Sequence, residues 1–240
     1  MSTMKKYLVG TCAFNEGAKI KRVIEKYNDY VSYDVVIIDD GSTDQSLQEI
    51  PPGIPVAVIA NPANRGAGFG VRQILQYAQQ RGYTAVFFVS GNDKDSPHDV
   101  PKLKSAIEEG FDFVQGSRYL PGGQQGRMPF YRKVSTRIVH PMLFSLITGR
   151  RITDSTNGFR AVRLSLLNDK RIDLDQTWLE QYELEPYLFY KAITCGYKVK
   201  EVPVTKIYPS KQEGYTKMKP FSGWWSILRP LVFLGLGLRK

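Results

Sequence analysis

Ten residues, Val35 to Asp44 (VVIIDDGSTD), constrain this chain more than any others. Four β-branched apolar residues run straight into two aspartates, a glycine and a Ser-Thr-Asp group. The pattern predicts a buried strand ending abruptly in a polar turn. A strand apolar on both faces belongs to a parallel sheet covered by helices on either side. Ligands of such open sheets bind beyond the carboxyl ends of the strands. Asp39 and Asp40 therefore stand where a base, a ribose or a metal would be read. The competing assignment is a plain turn, with Ser42 to Asp44 capping the next helix.

The same alternation repeats through the first half. Lys6 to Cys12 predicts a strand broken by Phe14-Asn15-Glu16-Gly17, and Ala18 to Tyr30 places Ile20, Val23, Ile24 and Tyr27 on one helical face. Asp44 to Ile50 is expected as a short helix and Val56 to Ile59 as a strand. The Gly-rich turn from Asn64 opens a helix running to about Arg81. Ala85 to Val89 is a strand ending in SGNDKDSP, Pro101 to Glu109 is helical, and Phe113 to Gln115 begins a strand followed by GSRY. Strands alternating with helices predict an α/β fold, a mixed but mainly parallel sheet flanked by helices. Right-handed crossovers then bring most strand ends to one edge.

After Tyr119 the character changes. Leu120 to Met128 reads as a loop, Arg132 to Thr148 as a long amphipathic helix, Asp154 to Val162 as a polar stretch becoming a strand, Trp178 to Thr194 as a helix and Tyr197 to Val204 as a strand. The expected organisation is one domain over 1–220, with a nucleotide half (about 1–119), an acceptor half (about 120–220) and a C-terminal amphipathic segment, 221–240.

The net charge of +10 favours anionic partners, namely nucleic acid, a phospholipid surface or phosphorylated small molecules. No zinc-finger spacing or RNP-like signature accompanies it, so no nucleic-acid partner is expected. Cys12 and Cys195 are expected as free thiols, and with only His98 and His140 besides them a structural zinc site is not expected. No apolar run reaches the length of a bilayer span, and the N-terminus lacks the h-region of a signal peptide. A cytoplasmic location follows, with peripheral attachment to the cytoplasmic face of a membrane as the alternative.

Three strand ends carry polar groups: Asn15-Glu16, Asp39-Asp40 and Asn92 to Asp95. Their recurrence points to one shared site for a phosphorylated ligand. Oxygen ligands such as Asn92, Asp93 and Asp95 suit Mg²⁺ or Mn²⁺. The Gly66-to-Gly70 run can turn backbone N–H groups toward an anion, although close helix packing explains the glycines equally well.

Taken in order, the FNE opening, VVIIDDGSTDQS, NRGAGFG, the acidic turn after AVFFV, GSRY, DSTNGFRA (Asp154 to Ala161) and GYKVKEVPV resemble the family 2 glycosyltransferases. The likeness covers about residues 6 to 220 and is strongest to the dolichyl-phosphate mannose synthase and polyprenyl-phosphate sugar synthase branch. It implies a GT-A (Rossmann-like) fold, a nucleoside-diphosphate sugar donor, a divalent metal and inversion at the anomeric carbon. It further implies that Ala13, Phe14 and Glu16 contact the nucleobase and ribose, that Asp39 and Asp40 read them, and that Gly66 turns beneath the nucleotide. Where the family has Asp-x-Asp this chain has Ser90-Gly91-Asn92. Asn92, Asp93 and Asp95 are then the metal-ligand candidates, and Lys94 a partial substitute for the cation. Arg118 matches an arginine near a phosphate, a role suited to its bidentate fork. Asp154 and Arg160 match an acid and an arginine of the family. Glu183 and Glu185 stand where the family places an acid, and one of them is a candidate general base. Lys217 falls in a segment resembling a loop that closes on phosphate.

The expected activity is transfer of a sugar from UDP- or GDP-sugar to a membrane-associated acceptor, polyprenyl phosphate first and a saccharide hydroxyl second. A non-catalytic nucleotide-sugar-binding protein is the reading favoured by the altered Asp-x-Asp. Beyond Lys198 the chain is rich in Lys and Arg, and Phe221 to Leu238 is strongly apolar with Trp224 and Trp225 adjacent. This end suits either a helix lying in lipid headgroups or one packed on the protein itself.

Overall fold

A computed structural model describes residues 6–30, 33–50, 52–126, 128–208 and 222–239. Seven strands form the main sheet: β1 (Tyr7–Ala13), β2 (Asp34–Asp39), β3 (Val56–Ala60), β4 (Ala85–Ser90), β5 (Phe113–Ser117) and, after the short β6 (Gln124–Gly126), β7 (Arg160–Arg163) and β8 (Val199–Pro203). Their order is β3-β2-β1-β4-β7-β5-β8, and only β7 runs against its neighbours. A ninth strand, β9 (Thr205–Ile207), pairs with β6 in a separate two-stranded ribbon.

The two-residue period of the strands builds two cores. On β1, β2, β4 and β5 the residues Leu8, Val36, Ile38, Val86, Phe88 and Phe113 face one side. Val9, Val35, Phe87, Val89 and Val114 face the other. Helix α1 (Ala18–Tyr30) covers the second side with Val23 and Tyr27, and α3 (Val100–Glu108) with Leu103 and Ile107. The first side is covered by α2 (Ala67–Gln80), α5 (His140–Thr148), α6 (Leu184–Thr194) and α7 (Ser222–Gly235). Burial on both faces is what the uninterrupted apolar runs require.

The helix expected over Arg132–Thr148 begins earlier, at α4 (Phe130–Val134), and passes through a π turn, Ser135–Val139, into α5. Pro141 cannot donate, and its ring pushes on the preceding turn, so the ladder shifts and His140 N–H bonds the Ser135 carbonyl. Asp44 to Ile50 forms turns instead of the expected helix. Its capping groups are diverted: Ser46 Oγ accepts the N–H groups of Glu16 and Gly17, and an Asp44 carboxylate oxygen accepts Gly17 N–H. Cys12 and Cys195 are free thiols.

The C-terminal helix packs on the protein. Leu231 and Leu234 of α7 are buried, Phe233 meets the Trp178 ring edge-on, and the main-chain carbonyl of Ile227 lies 3.3 Å from His140 Nε2. Among the described residues no helix is long and apolar enough to cross a membrane.

Candidate active site

Parallel register gathers the polar strand ends. Ala13 of β1 pairs with Asp39 of β2, and Cys12 pairs with Ser90 of β4. The reversed strand β7 starts at the same edge, with Arg160 between Phe88 and Gln115. Arg118 follows β5 there as well. A cavity of about 200 Å³ opens at this rim, walled by Glu16, Ser90, Asn92, Gly158 and Glu185 over the apolar side of α2. Asn15 and Asp93 are the two non-glycine residues of positive φ among the described residues, at 51° and 58°. Both lie on the loops of this edge, where backbone strain commonly accompanies function.

On the β2 side the carboxylates are held by backbone donors. Asp40 is 4% exposed and accepts the N–H groups of Arg65 at 3.1 Å and Gly66 at 2.7 Å, together with Asn61 Nδ2 at 3.1 Å. Asp39 accepts Ser42 N–H at 3.3 Å and also the Ser42 hydroxyl. Gly66 has φ 115°, and a Cβ there would run into the Glu180 carbonyl. The anion-cradle expectation for Gly66 to Gly70 is corrected: Gly68 and Phe69 N–H bond the carbonyls of Gln181 and Glu180, at 2.6 and 3.0 Å. Gly66 and Gly68 serve close packing between α2 and the segment before α6, and Gly70 between α2 and Cys12 of β1. Ala13 is buried beneath the edge, its carbonyl accepting Asp40 N–H at 2.8 Å, and Phe14 is half-buried beside it.

The three expected metal ligands do not converge. Asp93 turns away to Arg22 Nε at 2.8 Å and Lys26 Nζ at 2.6 Å on α1. Asp95 accepts Ser90 N–H at 2.7 Å and pairs with Lys206 Nζ at 2.5 Å. Asn92 alone faces the cavity, and its Oδ1 is buried without a hydrogen-bond partner among the described residues. No group of three His, Cys, Asp or Glu is placed to hold an ion among the described residues. Lys94 lies 4.9 Å over the Tyr208 ring. Burial, and after it Lys206 and Arg132, push its ammonium down to about 8. Lys217 lies outside the described residues.

On the β5–β7 side, carboxylates meet buried cations. Arg118 forks onto Asp154 through Nε at 2.7 Å and Nη2 at 2.8 Å, and the two are 3% and 0% exposed. Burial works against the guanidinium charge, and Asp154 outweighs it, holding Arg118 above its usual pKa. Arg160 bonds the carbonyls of Glu185 at 3.0 Å and Asn157 at 2.6 Å, and approaches the Glu185 carboxylate at 3.4 Å. Burial lowers the pKa of Arg160, opposed by Glu185 and Asp154. Glu185 stands in the first turn of α6, half-buried, and is the carboxylate of this side that lines the cavity. Glu183, the residue capping α6, is fully buried against Arg229 of α7 and does not line it.

The model for glycosyl transferase family 2 matches residues 8–170. The chain belongs to that family. It is a glycosyltransferase of GT-A fold. Polyprenol monophosphomannose synthase of Mycolicibacterium smegmatis is 29% identical to it over 77% of this chain and 69% of that protein. Dolichol-phosphate mannosyltransferase of Pyrococcus furiosus is 31% identical over 86% of this chain, which spans 57% of that relative's length. Undecaprenyl-phosphate mannosyltransferase of Micrococcus luteus is 26% identical over 85% and 84%. Among solved structures, glucosyl-3-phosphoglycerate synthase of Mycobacterium tuberculosis, crystallised with Mn²⁺, UDP and phosphoglyceric acid, superposes with a TM-score of 0.69. At 16% identity it covers 98% of this chain and 78% of that one.

Several residues of this glycosyltransferase site carry no sequence signal of their own. Glu201 accepts the N–H groups of Thr153 at 2.9 Å and Asp154 at 3.0 Å, and burial raises its pKa against those donors. It fixes the loop that presents Asp154. Ser155 hydrogen-bonds His140 Nδ1 at 2.7 Å, and Asn157 Nδ2 donates to the Gly116 carbonyl at 3.0 Å. Successive residues of DSTNGFR thus tie β5, α5 and α6 together, an assignment the motif order alone does not contain. Lys206, on β9, carries no motif in the sequence around it, and only the fold brings it to Ser90 and Asp95.

Proposed function

We propose that this chain is an inverting glycosyltransferase that moves a sugar from UDP- or GDP-sugar to polyprenyl phosphate at the cytoplasmic face of a membrane. The observation that carries the reading is a carboxylate-and-amide cavity at the strand ends, together with a cluster of arginines and a lysine around Tyr208. Lys94, Arg132 and Arg118 all approach the Tyr208 side chain: Lys94 at 4.9 Å and Arg132 at 5.4 Å from the ring, and Arg118 donating to its hydroxyl at 3.2 Å. Two phosphate-bearing substrates need such a cluster. The acceptor class is supported by the relatives, whose names share a polyprenyl or dolichyl phosphate.

In a single displacement an acceptor phosphate oxygen bonds the anomeric carbon from the face opposite the nucleoside diphosphate. The bond to that leaving group breaks, and the configuration inverts. A phosphate nucleophile is already ionised and needs no general base. The protein's task is to hold two anions in line and offset the charge growing on the departing diphosphate. The Asp39 and Asp40 loops set the floor on the nucleoside side, and Arg118, fixed by Asp154, stiffens the acceptor side. The family pattern also calls for Mg²⁺ or Mn²⁺. With Asp93 and Asp95 paired to other cations, the described residues do not fit such an ion.

Membrane contact is supported by an apolar ridge. Tyr131, Ile138, Met142 and Leu146 lie exposed along α4, the π turn and α5, with Lys133 and Arg137 exposed on the same stretch. A Cβ on Gly235 would strike Ile147, so α7 approaches α5 closely there, and Leu236 is exposed just beyond it. Trp225 and Leu238 are exposed on the same C-terminal segment. Apolar residues rimmed by cations suit an anionic bilayer surface.

The test is transfer from UDP- and GDP-sugars to polyprenyl phosphate. Inverted glycosyl phosphate lipid is the expected product, and the absence of both transfer and nucleotide binding would sink the reading. Glu185 in the cavity favours a second reading, with a saccharide hydroxyl as acceptor and Glu185 as base. Glu185→Gln separates them: a loss under about tenfold fits the phosphate acceptor, and a loss of about 10²-fold or more fits the hydroxyl.

A further inference from the structure

We propose that lysine ammonium groups, Lys206 at the end of β4 and Lys94 beside it, occupy the cationic place next to the donor diphosphate. The inference rests on the glycosyltransferase reading above and deepens it.

Ser90 stands at the first aspartate position of the family's Asp-x-Asp. Its hydroxyl accepts a hydrogen bond from Lys206 Nζ at 3.0 Å. The same ammonium is 2.5 Å from Asp95 Oδ1, while Asp95 Oδ2 accepts Ser90 N–H at 2.7 Å. These three contacts close a ring that carries a buried β9 cation to Ser90 at the tip of β4, directly behind the cavity wall that Ser90 and Asn92 form. An aspartate in place of Ser90 would put a second carboxylate on this ammonium, and a metal held there would face it at close range. Serine removes the acid and keeps an oxygen for Lys206. The substitution and the lysine therefore answer one another.

The charge count points the same way. Around Tyr208 and the β4 turn stand Lys94, Lys206, Arg118 and Arg132, against the carboxylates Asp95 and Asp154. Among the described residues, these cations outnumber the two carboxylates paired with them. Glu16 and then Lys19 are the next charged neighbours of Lys94, the acid acting on it more strongly than the lysine. Asp93, the remaining acid of the turn, is neutralised from α1 by Arg22 and Lys26. Protein cations at a fixed place do for a phosphoryl leaving group what a bound ion does, by electrostatic stabilisation.

Calorimetric titration of the whole chain with UDP and with GDP, in EDTA and again in Mn²⁺, tests this. The nucleotide that binds should do so in EDTA within about threefold of its affinity in Mn²⁺. Lys94→Met should weaken the diphosphate about tenfold, leave the corresponding nucleoside unchanged, and be largely rescued by Lys94→Arg. Circular dichroism of each variant establishes that it is folded. Should Lys94→Met prove unfolded, the EDTA comparison on the unaltered chain still decides. Diphosphate binding that falls more than about tenfold in EDTA overturns the proposal and leaves the transferase reading standing. So does a folded Lys94→Met that binds as before. Binding of neither nucleotide under either condition overturns both.

Discussion

The two flanks of the rim satisfy their buried carboxylates in opposite ways. At β2, Asp39 and Asp40 are held mainly by backbone N–H groups and small neutral side chains, Asp39 from three residues on and Asp40 from the turn that opens α2. At β5, β7 and β9, Asp154 and Asp95 are held by the cations Arg118 and Lys206, 36 and 111 residues away in sequence. A backbone-capped carboxylate shapes a loop and leaves little charge to answer for. A buried ion pair draws distant elements together and is costly to break from one side only. The first flank is a floor; the second is a brace under tension from unlike charges.

That contrast can be broken by experiment, and the sharpest cut is Asp154→Asn. It leaves Arg118 buried beside an amide and should destabilise the fold by about 3–5 kcal/mol in denaturant unfolding. A loss no larger than that of the Asp40 variant below would erase the distinction.

Acid should attack the brace first. Burial lowers His140 from its usual 6.5 to about 4. As pH falls below 6.5 the unfolded chain takes up this proton before the folded chain does. Stability present above 6.5 is then lost down to about 4, with a ceiling of about 3 kcal/mol. Urea midpoints between about pH 7.5 and 4.5 should fall less in His140→Gln than in the unaltered chain. Equal falls would show that His140 contributes nothing to the acid sensitivity.

On the floor, Asp40→Asn keeps one acceptor oxygen and should cost about 1–2 kcal/mol, read by the same unfolding measurement. The smallest effect is at the surface. Leu146→Gln should change stability by less than about 0.5 kcal/mol, yet reduce co-sedimentation with anionic vesicles. Undiminished vesicle binding would remove the ridge from the membrane argument.

The same contrast explains what could be read in advance. Strands and helices were legible wherever period and punctuation are local: α1 is found at its expected bounds, and β2 extends one residue beyond the expected strand at each end. The polar rim was legible too, because each group directly follows its own apolar strand. Partners from distant segments were not. The Gly66 turn resembles an anion cradle until Gln181 and Glu180 arrive to use its N–H groups. Asp44 to Ile50 has the composition of a helix start, and the Asn15–Gly17 loop claims its caps. Asp93 and Asp95 read as ligands because the arginine and lysines that neutralise them lie on α1 and β9. The local pattern names the elements, whereas charge pairing depends on who comes to meet them.

Arg229 grips Glu183 from α7, and Glu183 sits two positions before Glu185. The C-terminal helix is thereby moored to the very turn that aims a carboxylate into the cavity. A load on that helix would reach, along one short lever, the wall of the cavity that Glu185 forms. Anchorage and readiness for chemistry would then rise and fall as a single mechanical variable.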